Sequence, residues 1–325
     1  MSELRDEFNR HLMYLRLSIT ELCNFRCNYC LPEGCPISDK KFLTLNEISR
    51  LVLAFSELGV QKVRLTGGEP SLRSDLFELI RRLKQISAIK EIAYTTNGYR
   101  LARDVQHLYE AGVQKINVSV DSLSPSNFFN ITGHNCLNKV LTGIEKAQNL
   151  NFEKIKINVV LLKGINDHEI ADFIGWTKNN PINVRFIELM QTGENLTYFK
   201  KHHVSLSSLQ QQLLDQGWNN IEKHIAAGPA VNFGHINHRG SIGLIMPYKP
   251  SFCASCNRLR VSSHGDLHLC LFSDIGYSLR HLLQDDTQKE ELKSLILSLI
   301  GLKKESHFLN LNQTGNTKNL AVIGG

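Results

Sequence analysis

The chain lacks any apolar run near the ~18 residues that a membrane-spanning helix needs. Its opening stretch, MSELRDEFNRHLMYLRLSIT, carries too many charges for the apolar core of a secretory signal. Both absences predict a cytoplasmic protein with no membrane partner. It also lacks a block of basic residues or a stripe of basic and aromatic ones, so the net charge of +6 gives no case for nucleic acid. A pocket for a small anion such as a nucleotide accounts for that mild excess. No solenoid-type repeat is present.

What is present is ordinary in bulk. Hydrophobic residues make up 42% and charged residues 21% of 325, enough for one barrel-type domain or two smaller ones. The eight cysteines are the exception. In a reducing compartment they point to metal or catalysis before disulfides. The segment CNFRCNYC places Cys23, Cys27 and Cys30 within eight residues, with no fourth cysteine at matching spacing. A second set, Cys253, Cys256 and Cys270, again stops at three. A disulfide takes two thiols and a closed tetrahedral site four ligands, so three suggest a metal or cluster with one position open. For the second set taken alone, a zinc site completed by His264 or His268 stands as the alternative.

Six strand-like segments alternate with helix-like ones: 14–19, 62–66, 91–96, 115–120, 154–162 and 183–190. Helical periodicity fits 45–58, with Thr44 and Glu47 as a capping box and Gly59 at its end, then 74–85, 101–111, 136–149 and 168–178. Such alternation implies right-handed crossovers and a parallel sheet. Charged residues inside the strands, in RLS, VRLT and KIKIN, need buried partners, which favours a partial (β/α)6 barrel with an anion in its mouth. The first cysteine loop follows strand one and so falls at the catalytic end of such a barrel. We divide the chain into a core over 1–225 and a C-terminal module of short strands and helices over 226–325 that closes the barrel. After strand two, TGGEP puts two glycines where backbone amides can meet a ligand. In CNRLR, Arg258 and Arg260 alternate with Asn257 and Leu259, so both guanidiniums face one way.

The C-x3-C-x2-C spacing with Tyr29 before the last cysteine resembles the radical S-adenosylmethionine superfamily. The ordered set CNFRCNYC, RLTGGEP, TTNGY, VSVDSL, ITG, KIKINVVLLKGIND, RFIELM, FCASCNRLR and the terminal glycine pair is similar to the GTP 3′,8-cyclase family of molybdenum cofactor biosynthesis, from about Tyr14 to Gly325. The resemblance implies a lyase with two [4Fe–4S] clusters, on Cys23, Cys27 and Cys30 and on Cys253, Cys256 and Cys270. It implies S-adenosylmethionine at Tyr29, Gly68, Ser119 and Met190, and GTP at Arg16, Arg64, Thr95, Lys156, Asn257, Arg258, Leu259 and Arg260, with the guanine on the second cluster. The product it implies is (8S)-3′,8-cyclo-7,8-dihydroguanosine 5′-triphosphate, passed to cyclic pyranopterin monophosphate synthase. A flavodoxin or ferredoxin would supply electrons to a monomer or homodimer. By the same resemblance Arg258, Arg260 and the tail residues Gly324 and Gly325 serve catalysis. Two rivals remain: a two-cluster enzyme acting on a peptide, and a protein using both triads for structural zinc. Cys35, Cys136, His202–His203, the HINH stretch at 235–238 and both tryptophans read as ordinary loop or packing residues.

Overall fold

The structure is a computed structural model and describes residues 4–35, 41–222, 227–273, 275–311, 313–314 and 323. Six strands carry the core: β1 (Tyr14–Ser18), β2 (Lys62–Thr66), β3 (Glu91–Thr96), β4 (Lys115–Ser119), β5 (Lys154–Leu161) and β6 (Ile182–Glu188). They match the six expected segments to within two residues. Six further strands follow: β7 (Asn219–Ile221), β8 (Val231–Gly234), β9 (Ser241–Ile245), β10 (Arg258–Val261), β11 (Asp266–His268) and β12 (Tyr277–Ser278). All pair in one sheet of order β12-β11-β10-β1-β2-β3-β4-β5-β6-β9-β8-β7.

The sheet from β10 through β9 is parallel, with antiparallel hairpins at both edges. It is not closed into a barrel, as expected for a partial barrel. The later strands do not merely cap its mouth, however. β9 adds in parallel beside β6, and β10 adds in parallel beside β1. β7, before the division suggested by sequence, pairs antiparallel with β8, after it.

Nine helices are described: α1 (Leu45–Glu57), α2 (Leu76–Lys84), α3 (Leu101–Ala111), α4 (Pro125–Thr132), α5 (Leu137–Gln148), α6 (Ile170–Asn179), α7 (Leu196–His202), α8 (Ser207–Asp215) and α9 (Lys289–Ile300). α1 begins where its side chains cap it: Glu47 N donates to Thr44 Oγ1 at 3.2 Å and Thr44 N to Glu47 Oε2 at 2.7 Å. It ends before Gly59, at φ +103°, a left-handed turn that glycine adopts without strain. Its Ile48, Leu51, Val52 and Phe55 are fully buried with Leu15, Leu17, Val63 and Leu65 of the sheet. The period of two then turns Tyr14, Arg16, Lys62 and Arg64 to the opposite, inner face. No helix among the described residues is long and apolar enough to cross a membrane.

Candidate active site between the two cysteine triads

One cavity on the inner face of the sheet is lined by both triads, Cys23, Cys27 and Cys30 on one side and Cys253, Cys256 and Cys270 on the other. The chain brings the sets together because β10, which follows Cys256 closely, lies directly beside β1, which precedes Cys23. Among the described residues no three His, Cys, Asp or Glu side chains converge as a single metal ion would need. Of the two histidines offered as a zinc ligand, His264 turns to Glu21 Oε1 at 3.1 Å and packs on Phe42, and His268 lies on β11 opposite Arg260. Each set offers thiols alone, the donor chemistry of an iron–sulfur cluster with one open iron.

Burial pushes the Cys23 thiol up to about 11 and that of Cys27 well above its ordinary value, with Asp121 adding to the latter. Both therefore release a proton when they ligate metal. Burial also opposes ionisation of Cys256, but the charges of Arg258, Lys303 and Arg10 outweigh it and bring that thiol to about 6. Cys35, read from sequence as idle, accepts from Cys23 N at 3.1 Å and reaches Glu21 O at 2.8 Å, bracing the first cysteine loop from behind. Cys136 is half-buried at the start of α5.

The TGGEP turn differs from its bare reading. The amides of Gly68 and Glu69 are engaged by the protein: Gly68 N donates to Thr20 O at 2.9 Å and Glu69 N to Leu22 O at 2.7 Å. The glycines serve close approach, since a Cβ on Gly68 would meet Leu22 O at 2.2 Å and Glu21 O at 2.5 Å. Glu69, fully buried, accepts from Thr96 Oγ1 at 2.8 Å and Asn97 N at 2.6 Å and so joins the loops after β2 and β3. Gly68, Tyr29, Ser119 and Met190 all line the cavity. Tyr29 OH donates to Asp121 Oδ2 at 2.7 Å; burial raises that carboxyl to about 6 although Val160 N also bonds it.

The basic residues form rows set by strand register. Arg258, Tyr14 and Lys62 are neighbours across β10, β1 and β2, and so are Arg260, Arg16 and Arg64. Further along the wall lie Thr95, Asn117 and Lys156 in register, then Asn158 and Arg185. Like charges directly opposite each other destabilise a sheet. Here burial, with repulsion from neighbouring cations, weakens the hold of several of them on protons, whereas at Arg258 the charges led by that of Cys256 outweigh burial and raise it. Burial, then Arg185 and Arg64, lowers Lys156 to about 5, and burial, then Arg64, lowers Arg185 to about 10. Burial also takes Arg16 to about 10 and Arg260 well below its usual range. Burial would raise the Tyr14 phenol, but Arg64, Arg16 and Lys62 pull it down to about 7. Such a row fits a polyanion.

Every lining residue named from sequence for nucleotide binding is here except two. Leu259 is fully buried on the other face of β10, in the apolar core, because alternation that points Arg258 and Arg260 inward points it outward. Asn257 is buried outside the lining, with its Nδ2 on Ala227 O at 3.1 Å. Gly324 and Gly325 lie outside the described residues, though Ile323 is buried against Leu271, Phe272 and Leu309, and its carbonyl takes Arg260 Nη1 at 3.0 Å. Sequence reasoning missed Lys62 and Arg185, whose signal was the same: a charge inside an otherwise apolar strand. Away from the cavity, His235 and His238 pack around the buried Trp218, as loop residues would.

The Radical SAM superfamily matches residues 17–177 and Molybdenum Cofactor Synthesis C matches residues 182–309. The GTP 3′,8-cyclase of Yersinia pestis is 52% identical over 326 residues, covering all of both chains. Among solved structures, Streptococcus suis SuiB bound to S-adenosylmethionine superposes with a TM-score of 0.66 at 15% identity, over 98% of this chain and 78% of that one. The complex of anSMEcpe with AdoMet and the Cp18Cys peptide gives 0.55 at 16% identity, over 89% and 83%. At such identities these two speak to the fold alone.

Proposed function

The chain belongs to the GTP 3′,8-cyclase family of radical S-adenosylmethionine enzymes, and from that premise we propose that its basic cavity holds GTP between two open-sided [4Fe–4S] clusters. It catalyses the cyclisation that opens molybdenum cofactor biosynthesis, as a lyase. When bound on Cys23, Cys27 and Cys30, the first cluster with S-adenosylmethionine would supply, at the cost of one electron, the radical chemistry that removes hydrogen from ribose C3′; bonding of C3′ to C8 opens the C8=N7 π bond and takes up one further electron and a proton from the reductant.

The protein's own part is orientation and charge. Cys23, Cys27 and Cys30 hold the first cluster, and Tyr29, Gly68, Ser119 and Met190 surround S-adenosylmethionine, Gly68 through its carbonyl since its amide is engaged. Cys253, Cys256 and Cys270 hold the second, which takes the guanine. Arg16, Arg64, Thr95, Lys156, Arg258 and Arg260 bind the triphosphate and ribose, and we add Lys62 and Arg185. Fixing base, sugar and phosphates in one pose turns ring closure into an oriented intramolecular step. Apolar Leu271 and Phe272 line the same cavity and keep solvent from the radical. Residues 1–225 and 226–325 then divide the labour of radical source and substrate site while sharing one sheet. Gly324 and Gly325 serve catalysis, a flavodoxin or ferredoxin reduces the first cluster in a cytoplasmic monomer or homodimer, and cyclic pyranopterin monophosphate synthase takes the product.

The observation that carries this reading is the in-register Arg260–Arg16–Arg64 row facing a cavity lined by both triads. Anaerobic protein, reduced with dithionite and given S-adenosylmethionine, should form 5′-deoxyadenosine and an isomer of GTP only when GTP is present. Deoxyadenosine formation indifferent to GTP would point to another substrate.

A further inference from the structure

Asn117, on β4, lies in the cavity wall and is 5% exposed. Its Oδ1 is buried and receives no hydrogen bond from the protein. That is unusual, since buried polar atoms are nearly always paired and an unmet acceptor is costly. Its cross-strand neighbours are Thr95 and Lys156. Neither relieves it: Thr95 Oγ1 accepts from Arg64 Nη1 at 3.1 Å, and neither the Thr95 hydroxyl nor the Lys156 ammonium bonds Oδ1.

The missing donor belongs to a ligand, and the chemistry of that ligand is narrow. With the amide turned as it is here, Oδ1 on the unmet side, phosphate oxygens only accept and do not serve it. A guanosine triphosphate offers donors only on its base and its ribose hydroxyls. The base, on the reading above, is at the second triad beside β10, and β1, β2 and β3 separate β10 from β4 in the sheet. The ribose remains. We propose that Asn117 is a specificity-determining residue whose Oδ1 accepts a ribose hydroxyl of the nucleoside triphosphate, so that the site selects ribo- over deoxynucleotides.

A second unpaired buried acceptor, Asn158 Oδ1, lies two residues further along β5, opposite Ser119. Ser119 belongs to the S-adenosylmethionine half, so Asn158 is the counterpart on that ligand's side and supplies an internal comparison. A site built around an acceptor rejects an analogue lacking the hydroxyl because the buried oxygen is then stranded.

The inference rests on GTP being the substrate, and binding separates its failure from failure of that reading. Anaerobic protein with both clusters would be titrated by calorimetry with GTP, 2′-deoxyGTP and 3′-deoxyGTP. Unmodified protein should bind one deoxy analogue about ten- to a hundredfold more weakly than GTP. Asn117→Leu should lose that ratio while its S-adenosylmethionine affinity stays, and Asn117→Asp, which keeps the acceptor, should retain it. Should the leucine variant fail to hold both clusters, Asn117→Ala is read instead. An unchanged ratio in the apolar variant overturns the inference, as does a loss confined to S-adenosylmethionine. No GTP binding by the unmodified protein overturns the substrate itself.

Discussion

Arg10 Nη1 donates to the Cys253 carbonyl at 3.2 Å, across 243 residues of sequence. The same guanidinium donates to Glu305 O at 2.6 Å and Lys304 O at 2.7 Å, and its Nε is paired with Asp6 at 2.6 Å. One buried fork thus binds the N-terminal segment, the loop of the second triad and the root of the C-terminal tail. Its charge also reaches Cys256 and helps hold that thiol ionised. A planar fork fixes several carbonyl directions at once, which an ammonium does not.

Replacing Arg10 with Gln should therefore act on the second triad. It takes the guanidinium from the Asp6 carboxylate, whose side chain is fully buried and keeps only the amides of Phe8 and residue 10, at a cost of up to about 3 kcal/mol in denaturant unfolding. Iron content should fall by about half, as one of two clusters is lost. Electron paramagnetic resonance should keep the first cluster's response to S-adenosylmethionine. Full retention of both clusters would show that the Cys253 loop holds itself.

Gly68→Ala tests whether that glycine serves a ligand or a loop. The new Cβ would lie 2.2 Å from Leu22 O and 2.5 Å from Glu21 O, backbone atoms that lead directly into Cys23. The loop has to move, at about 1–3 kcal/mol of overpacking strain. The first cluster should be lost or destabilised, with the second intact. A variant with a normal first cluster and only weaker S-adenosylmethionine binding would make Gly68 a ligand contact and nothing more.

The carboxylate that caps α1 also fastens the segment after β12 to it. Glu47 Oε1 takes Arg280 Nε at 2.8 Å. Burial would raise this carboxyl, yet Arg280, Thr44 and Gln284 bring it from 4.5 to about 2. A carboxyl depressed by folding adds stability above its unfolded value, and the gain disappears as pH falls toward the folded one. Melting temperature should thus drop between about pH 4.5 and 2 more steeply in the unmodified protein than in Arg280→Ala. Parallel pH profiles would show that the pair does not set Glu47's ionisation.

The six core strands were legible because each carries its own period and its own turn signals, and α1 because Thr44, Glu47 and Gly59 mark both ends. What joins distant segments was not. Nothing local to Arg258–Val261 tells that it pairs with Tyr14–Leu17, so the sheet's growth at both edges was invisible. The outward side chain of Leu259 was not legible because a contiguous motif hides alternation; the register sorts it from Arg258 and Arg260. Arg10 and Cys35 act through backbone carbonyls and amides, partners that carry no side-chain signature to find. The thiols were readable because only a few donor sets satisfy their chemistry.

Lys156 gives the cavity a proton-linked signature. With burial, Arg185 and Arg64 holding it at about 5, it is uncharged at neutral pH before nucleotide binds. A bound triphosphate favours the ammonium and restores the charge, so GTP binding takes up a proton. Tyr14 adds to this: at about 7 it is partly ionised, held so by the cations that the triphosphate would engage. Uptake on binding means that affinity is greatest near pH 5 and falls as pH rises toward Lys156's raised value in the complex, by up to about tenfold per unit for one proton. Calorimetry in two buffers of different ionisation heat counts the protons directly. Lys156→Met should bind GTP more weakly and take up one proton fewer, which separates the lysine from protonation of the nucleotide's own phosphate. Equal uptake in both proteins would mean that Lys156 is charged before GTP arrives, and the register row would then need a counter-anion bound ahead of the nucleotide.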